Sequence, residues 1–215
     1  MALWVADCTP LTADAAIQSA LPHLDAARRV AVTRRQDTLT RAQTAAAGLL
    51  LTHCFGQAGQ PPILAHGSHG KPYLPDGRAH FSLSHSGRYA FLLTADSPVG
   101  LDAQQIDSSR PRVAARCFTA AEQVWLAQDP DGRFARLWAM KEAYLKFTGF
   151  GLVLPMRSFT VPLPPVGFDA ATGCYWQELC YDGVAVAACG DRPLPPLTPQ
   201  EWSIPALLSH WGAEL

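Results

Sequence analysis

The chain has 215 residues, 48% of them hydrophobic, with mean hydropathy +0.03, formal charge -1 and a pI near 6.6. That supplies apolar surface for one large domain or two modules of roughly 100 residues. It excludes a chain that holds nucleic acid or an anionic membrane through bulk charge, so any basic site must be local.

Taken in chain order, residues 2–7 predict a strand. The first eight residues carry no basic stretch ahead of a long apolar run, and no apolar stretch approaches the ~20 residues needed to span a bilayer. A soluble, cytoplasmic protein is expected. Thr12 to Leu21 predicts a short helix stopped near Pro22, and Thr33 to Phe55, rich in Ala and Leu, predicts one long helix that carries Arg34, Arg35 and Arg41. Gln57 to Gly77 reads as a Gly/Pro loop. Strands at Ala79 to Ser84 and Tyr89 to Thr94 follow, joined by the hairpin signal His85-Ser86-Gly87-Arg88. Asp96-Ser97-Pro98 then punctuates the chain before a strand at Val99 to Ala103, which sets the boundary between two halves, 1–98 and 99–215. Thr119-Ala-Ala-Glu122 is a capping box opening a helix to about Gln128. Gly132 to Thr148 predicts a long helix that Gly149 ends. Strands near 157–162, 174–181 and 184–189 come next, then a Pro-rich connection at 192–199, and Thr198-Pro-Gln-Glu201 suits the cap of a short terminal helix. Helices alternating with antiparallel hairpins point to an α+β fold, and the two halves show no literal repeat.

Six cysteines, Cys8, Cys54, Cys117, Cys174, Cys180 and Cys189, form no C-x-x-C pair and are expected as free thiols. His66 and His69 share a Gly-rich loop, but two further ligands at a zinc spacing are lacking.

The stretch with most chemical content is Trp138-Ala-Met-Lys-Glu-Ala-Tyr-Leu-Lys146. At about 100° per residue, Trp138, Lys141, Glu142, Leu145 and Lys146 share one broad arc, beside an apolar stripe of Leu137, Met140, Tyr144 and Phe147. One carboxylate and two ammonium groups on one side suit a metal-bound phosphate. The same pattern also suits an ordinary amphipathic helix with an i,i+4 Glu-Lys pair contributing roughly 0.2–0.5 kcal/mol, so the rest of the chain decides. Asp102 follows Gly100 in a short apolar strand, where a carboxylate must be solvated, paired or metal-bound. Two carboxylates suffice for Mg²⁺ when phosphates and water complete an octahedron. Lys71 in Gly70-Lys71-Pro72 suits either a phosphate contact or a common turn. Ser84 and His85 sit where a strand enters a turn and can face an anion. Arg28, Arg29, Arg34, Arg35 and Arg41 lack interleaved aromatics for a nucleic-acid arm; a solvated helix face suits most of them, and a bidentate phosphate contact suits one or two.

In this order and spacing, Arg41, Gly70-Lys71-Pro72, Phe81-Ser-Leu-Ser-His85-Ser-Gly87, Val99-Gly-Leu-Asp102, Phe118-Thr-Ala-Ala-Glu122 and Trp138 to Lys146 with Gly149 and Gly151 resemble the Sfp-type 4′-phosphopantetheinyl transferases. The likeness spans about residues 28–155. Its specific part is the G-x-D strand followed about forty residues later by the W-x-x-K-E-A helix. The resemblance implies a 4′-phosphopantetheinyl transferase fold: a monomeric pseudo-dimer of two similar α+β halves, each an antiparallel sheet packed with helices. Coenzyme A and Mg²⁺ would lie between them. The half 1–98 would form the nucleotide side, and 99–215 would hold the metal-binding strand, the catalytic helix and a C-terminal extension.

It implies transfer of phosphopantetheine from coenzyme A to a serine of an apo acyl or peptidyl carrier protein, serving polyketide, nonribosomal peptide or fatty acid synthesis. Asp102 and Glu142 would hold Mg²⁺, Lys146 would offset phosphate charge, and Ser84 and His85 would contact phosphate. Lys71 with Gly70 would lie near the nucleotide, Arg41 would bind its phosphates, and Arg28 or Arg29 would reach the 3′-phosphate. Where many members read Asp-x-Glu, this chain reads Asp102-Ala103-Gln104. Gln104 then ligates through its carbonyl, holds a water, or only faces the cleft. Glu142 becomes the candidate general base, directly or through a water. A non-catalytic coenzyme A-binding module and a Mg²⁺-dependent pyrophosphate hydrolase are the competing readings.

Overall fold

A computed structural model describes residues 1–107, 109–163 and 167–212. Two four-stranded sheets form its centre. The first runs β10 (Pro199–Trp202), β1 (Ala2–Asp7), β5 (Tyr89–Ala95), β4 (His80–Ser86), antiparallel except that β10 lies parallel to β1. The second runs β6 (Val99–Gln105), β9 (Val184–Gly190), β8 (Cys174–Tyr181), β7 (Gly167–Asp169), all antiparallel. A small hairpin of β2 (Ala65–His66) and β3 (Pro72–Tyr73) stands apart. The helices are α1 (Asp14–Ala20), α2 (Ala26–Arg34), α3 (Thr38–Phe55), α4 (Pro111–Cys117), α5 (Ala120–Leu126), α6 (Pro130–Thr148) and α7 (Ile204–Ser209). The α+β expectation holds.

Strand periodicity builds three apolar layers, because successive side chains point to opposite faces. Leu3, Val5, Phe91 and Leu93 of the first sheet meet Leu101, Val184, Val186 and Ala188 of the second in a shared middle layer. The opposite face of the first sheet, with Ala6, Ala90 and Leu92, packs on the Ala/Leu face of α3. The opposite face of the second, with Ala187 and Cys189, packs on Leu137, Met140 and Ala143 of α6. The even residues of β6 therefore point toward α6. Gly100 makes this packing possible: a Cβ there would come within 2.0 Å of the Ala143 carbonyl oxygen and 2.5 Å of the Phe147 nitrogen.

Several expectations need correction. The helix expected from Thr33 to Phe55 is two helices, because Asp37 accepts from the Thr40 N–H at 2.7 Å and starts a new one, leaving Arg35 extended. Residues 157–162 form no strand; within them Lys141 donates to the Phe159 carbonyl and Glu122 accepts from the Val161 N–H. Thr198 to Glu201 does not cap a helix: Pro199–Trp202 pairs with β1, and Ser203 caps α7. The capping box at Thr119 and Glu122 and the left-handed Gly149 after α6 are present as expected. The last element thus returns to the first sheet rather than extending the second, and residues 213–215 of the expected C-terminal half lie outside the described residues. All six cysteines are free. Among the described residues no helix is long and apolar enough to cross a membrane.

Candidate active site

Between β4, β6 and α6 opens a cleft of about 610 Å³, a size suited to a cofactor-scale ligand. Asp102 and Gln104 reach it from the α6-facing side of β6, and Glu142 and Lys146 from adjacent turns of α6. Ser84 and His85 come from the end of β4, and Gly70 and His66 from the β2–β3 hairpin.

At its centre Asp102, buried at 6% exposure, accepts on Oδ1 from Lys146 Nζ at 2.6 Å and from Ser84 Oγ at 2.8 Å. Lys146 also donates to the Leu83 carbonyl at 2.9 Å, so it joins the two sheets across the cleft. Glu142 makes no hydrogen bond or ion pair among the described residues. Burial first, then the charge of Asp102, pushes its carboxyl above the usual carboxylate range, with Lys146 pulling the other way. A carboxylate pair of this kind, with an amide beside it, is a donor set that a divalent cation stabilises. Mg²⁺ accepts such oxygen ligands from one or two protein carboxylates when a substrate supplies phosphate oxygens. Among the described residues no group of three or more His, Cys, Asp or Glu side chains could hold a metal without that help.

His85 stands at the exposed mouth of the cleft. Packing around its ring first, then Lys146 and Arg35, hold the imidazole below its ordinary range, while Asp102 opposes them. An anion entering here would meet Lys146, Arg35 and Arg28 together.

The β4–β6 junction rests on serines at period two. Ser82, Ser84 and Ser86 accept from the N–H groups of Leu101, Ala103 and Gln105 at 2.9, 3.1 and 2.7 Å. Two edge strands thereby meet through hydroxyls in place of backbone pairing, and Ser84 is committed on both sides, to Asp102 and to Ala103.

Other sequence candidates stand elsewhere. Lys71 Nζ donates to the carbonyls of Val99 at 3.1 Å and Phe147 at 3.4 Å, fastening the hairpin to the start of β6 and the end of α6. It borders a smaller groove of about 260 Å³ that shares Glu142, Lys146 and Gly70 with the main cleft. Burial pushes the Lys71 ammonium below its usual range. Arg41 pairs with Asp14 at 3.1 Å and does not line the cleft. Arg28 lines it, held by Asp25 at 2.5 Å, and Arg29 does not.

Lys141 departs most from the helical-wheel reading. Its side chain is wholly buried on the far side of α6, paired with the equally buried Glu122 at 2.7 Å. The shared arc was broad enough to run from cleft to core, and Glu122 waits on the core side. Arg35, one of the five arginines of which one or two suit a phosphate contact, lines the cleft, and so does His66. A single helix over 33–55 gives Arg35 no direction of its own, and a Gly-rich loop signals His66 only as half of a zinc pair.

The model of the 4′-phosphopantetheinyl transferase superfamily matches residues 98–189, which contain Asp102, Glu142 and Lys146. The chain is 36% identical over 137 residues to the 4′-phosphopantetheinyl transferase Sfp of Bacillus subtilis, covering 58% of this chain and 61% of that protein. It is 30% identical over 193 residues to the transferase psf-1 of Bacillus pumilus, covering 82% and 83%. It is 31% identical over 196 residues to the transferase HetI of a Nostoc strain, covering 76% and 83%. The match thus spans less than two thirds of Sfp and more than four fifths of psf-1 and HetI.

Proposed function

The chain belongs to the 4′-phosphopantetheinyl transferase superfamily, and on that premise we propose that it moves the 4′-phosphopantetheine group of coenzyme A onto a serine hydroxyl of an apo acyl or peptidyl carrier protein. Adenosine 3′,5′-bisphosphate is the second product. The observation that carries this reading is the convergence of Asp102, Glu142 and Lys146 on one cleft, from a strand and a helix fixed against each other.

The reaction forms a bond between the serine oxygen and the β-phosphorus of coenzyme A and breaks the bond from that phosphorus to the bridging oxygen of the pyrophosphate. Such transfers depend mainly on positioning and charge neutralisation. Asp102, Glu142 and Gln104 are the residues that would hold Mg²⁺, which supplies charge neutralisation at the pyrophosphate when bound. Glu142 takes the serine proton, directly or through a water, on an oxygen that it does not give to the metal. Lys146, anchored by Asp102 and the Leu83 carbonyl, presents its charge to the phosphates. His85, Arg35 and Arg28 face the remaining anionic groups, while Ser84 holds Asp102 in place. Lys71 acts through the backbone it fastens. The chain works as a cytoplasmic monomer whose halves, 1–98 and 99–215, divide nucleotide binding from catalysis, with its carriers drawn from polyketide, nonribosomal peptide or fatty acid synthesis.

Incubation with coenzyme A, Mg²⁺ and a panel of apo carriers tests this by the release of adenosine 3′,5′-bisphosphate. Release that requires a carrier supports it. Release without any carrier would make the protein a hydrolase, and coenzyme A binding without release would make it a binding module.

A further inference from the structure

Lys141 and Glu142 are neighbours on α6, about 100° apart around it, one sealed in the protein and one open to the cleft. An ammonium has three N–H donors. Those of Lys141 are met by Glu122 Oε1 at 2.7 Å, the Met156 carbonyl at 2.8 Å and the Phe159 carbonyl. Its Nζ also lies 4.2 Å from the centre of the Phe159 ring, which contacts Tyr144 of α6 at 4.6 Å. Glu122 is as fully used: Oε1 accepts from Val161 N–H at 2.9 Å and Oε2 from Thr119 N–H at 2.7 Å. One knot therefore ties α6 to the first turn of α5 and to the segment 156–161.

On its other flank α6 rests on Gly100 of β6. Close contact at a glycine fixes how near the helix lies to the sheet, but a surface without a side chain gives little hold on rotation about the helix axis. Lys146, through Asp102 and the Leu83 carbonyl, holds the cleft side of the helix, and the Lys141 knot supplies the hold on its core side. We propose that Lys141 and Glu122 form a positioning pair that sets the rotation of α6, and thereby aims Glu142 at Asp102 and the reacting phosphate. With side chains reaching about 5–6 Å from the axis, a roll of about 10° displaces the Glu142 carboxylate by about 1 Å. A misplacement of that size costs on the order of 10²-fold in rate. The inference rests on the transfer reaction proposed above for its kinetic consequence, not for the geometry.

The test compares wild type with Lys141→Met/Glu122→Leu, which removes both charges together and so leaves no unpaired buried ion. The expected result is cooperative unfolding at a lowered Tm, because the Thr119 and Val161 N–H groups and the Met156 and Phe159 carbonyls lose their partners, a kcat for transfer to an apo acyl carrier protein lower by about 10²-fold, and a KM for coenzyme A within about threefold. Its crystal structure should show the Glu142 carboxylate moved by about 1 Å from its wild-type place relative to Asp102. A folded double variant with wild-type kcat, or with Glu142 unmoved, would overturn the proposal. Should that variant fail to fold, Lys141→Arg keeps the charge and replaces the three-pronged donor by a planar fork. It should lose kcat with KM unchanged, and wild-type kcat in it would equally overturn the proposal. If the wild-type chain transfers nothing, the functional reading fails by itself, and the position of Glu142 in the variant structure still decides the tether.

Discussion

Glu142 sits where its charge is disfavoured by burial and by Asp102 and relieved only in part by Lys146. A residue so placed trades stability for chemistry. Glu142→Gln should lower transfer by about 10²–10⁴-fold, the range for losing a positioned base, while its Tm at neutral pH equals or exceeds that of wild type. Steady-state kinetics and calorimetry on one preparation check both halves. The buried thiols give a second residue-scale expectation. Burial pushes Cys8 and Cys54 up to about 12 from an ordinary 9.0, and Cys189 well above it. Each holds its proton more tightly folded than unfolded, so its contribution to stability is complete below about pH 9 and declines as pH rises from there toward 12. Urea midpoints should fall between pH 8 and pH 10.5. In native protein at pH 8 a thiol reagent should label the exposed Cys180 readily and leave the buried Cys8 and Cys189 unlabelled.

The site depends on two contacts between elements, α6 on β6 and β4 beside β6. Gly100→Ala sets a methyl against the backbone of α6. The two elements must separate, and a stability loss of about 3 kcal/mol or more is expected from urea unfolding, in the range of a core disruption. Ser84→Ala is milder: it strands the Ala103 N–H and removes one of two groups holding Asp102 Oδ1. A cost of about 1–3 kcal/mol follows, together with a lower kcat. Sequence shows such elements unevenly. Short strand-like runs bounded by turn signals marked β4, β5, β6, β8 and β9, and capping chemistry marked α5. The break between α2 and α3 had its own signal in Asp37, masked by the Ala/Leu pattern continuing on both sides. The separation of Lys141 from Lys146 had none. A helical wheel gives angles between residues of one helix, whereas the side that becomes core depends on Glu122, a partner that only the tertiary fold brings near. The cleft residues from β6 and α6 were legible because a buried strand carboxylate and a helical Glu-Lys pair each ask for a partner. Those from the α2–α3 break and the β2–β3 hairpin depend on loop paths that no periodicity encodes.

Across the whole molecule, the middle layer joins two sheets of opposite chain origin, and the C-terminal segment binds them once more. After β9 the chain leaves the second sheet, adds β10 to the free edge of β1 and buries Ile204, Leu207 and Leu208 of α7 against the first core. Each such side chain is worth about 1.5–3 kcal/mol, so the three together rival the ~5–15 kcal/mol that holds a typical domain. A chain ending at Thr198 should therefore lose near-ultraviolet circular dichroism and the cooperativity of unfolding, even though every cleft residue remains in it. The central proposal is that Asp102 and Glu142 meet at one cation on the coenzyme A phosphates, and its most direct measurement is intact-mass spectrometry of an apo carrier panel after incubation with the protein, coenzyme A and Mg²⁺. The account predicts that at least one carrier gains a single phosphopantetheine mass, mapped to its acceptor serine and absent with Asp102→Asn. No gain on any carrier from well-folded, coenzyme A-binding protein would contradict it.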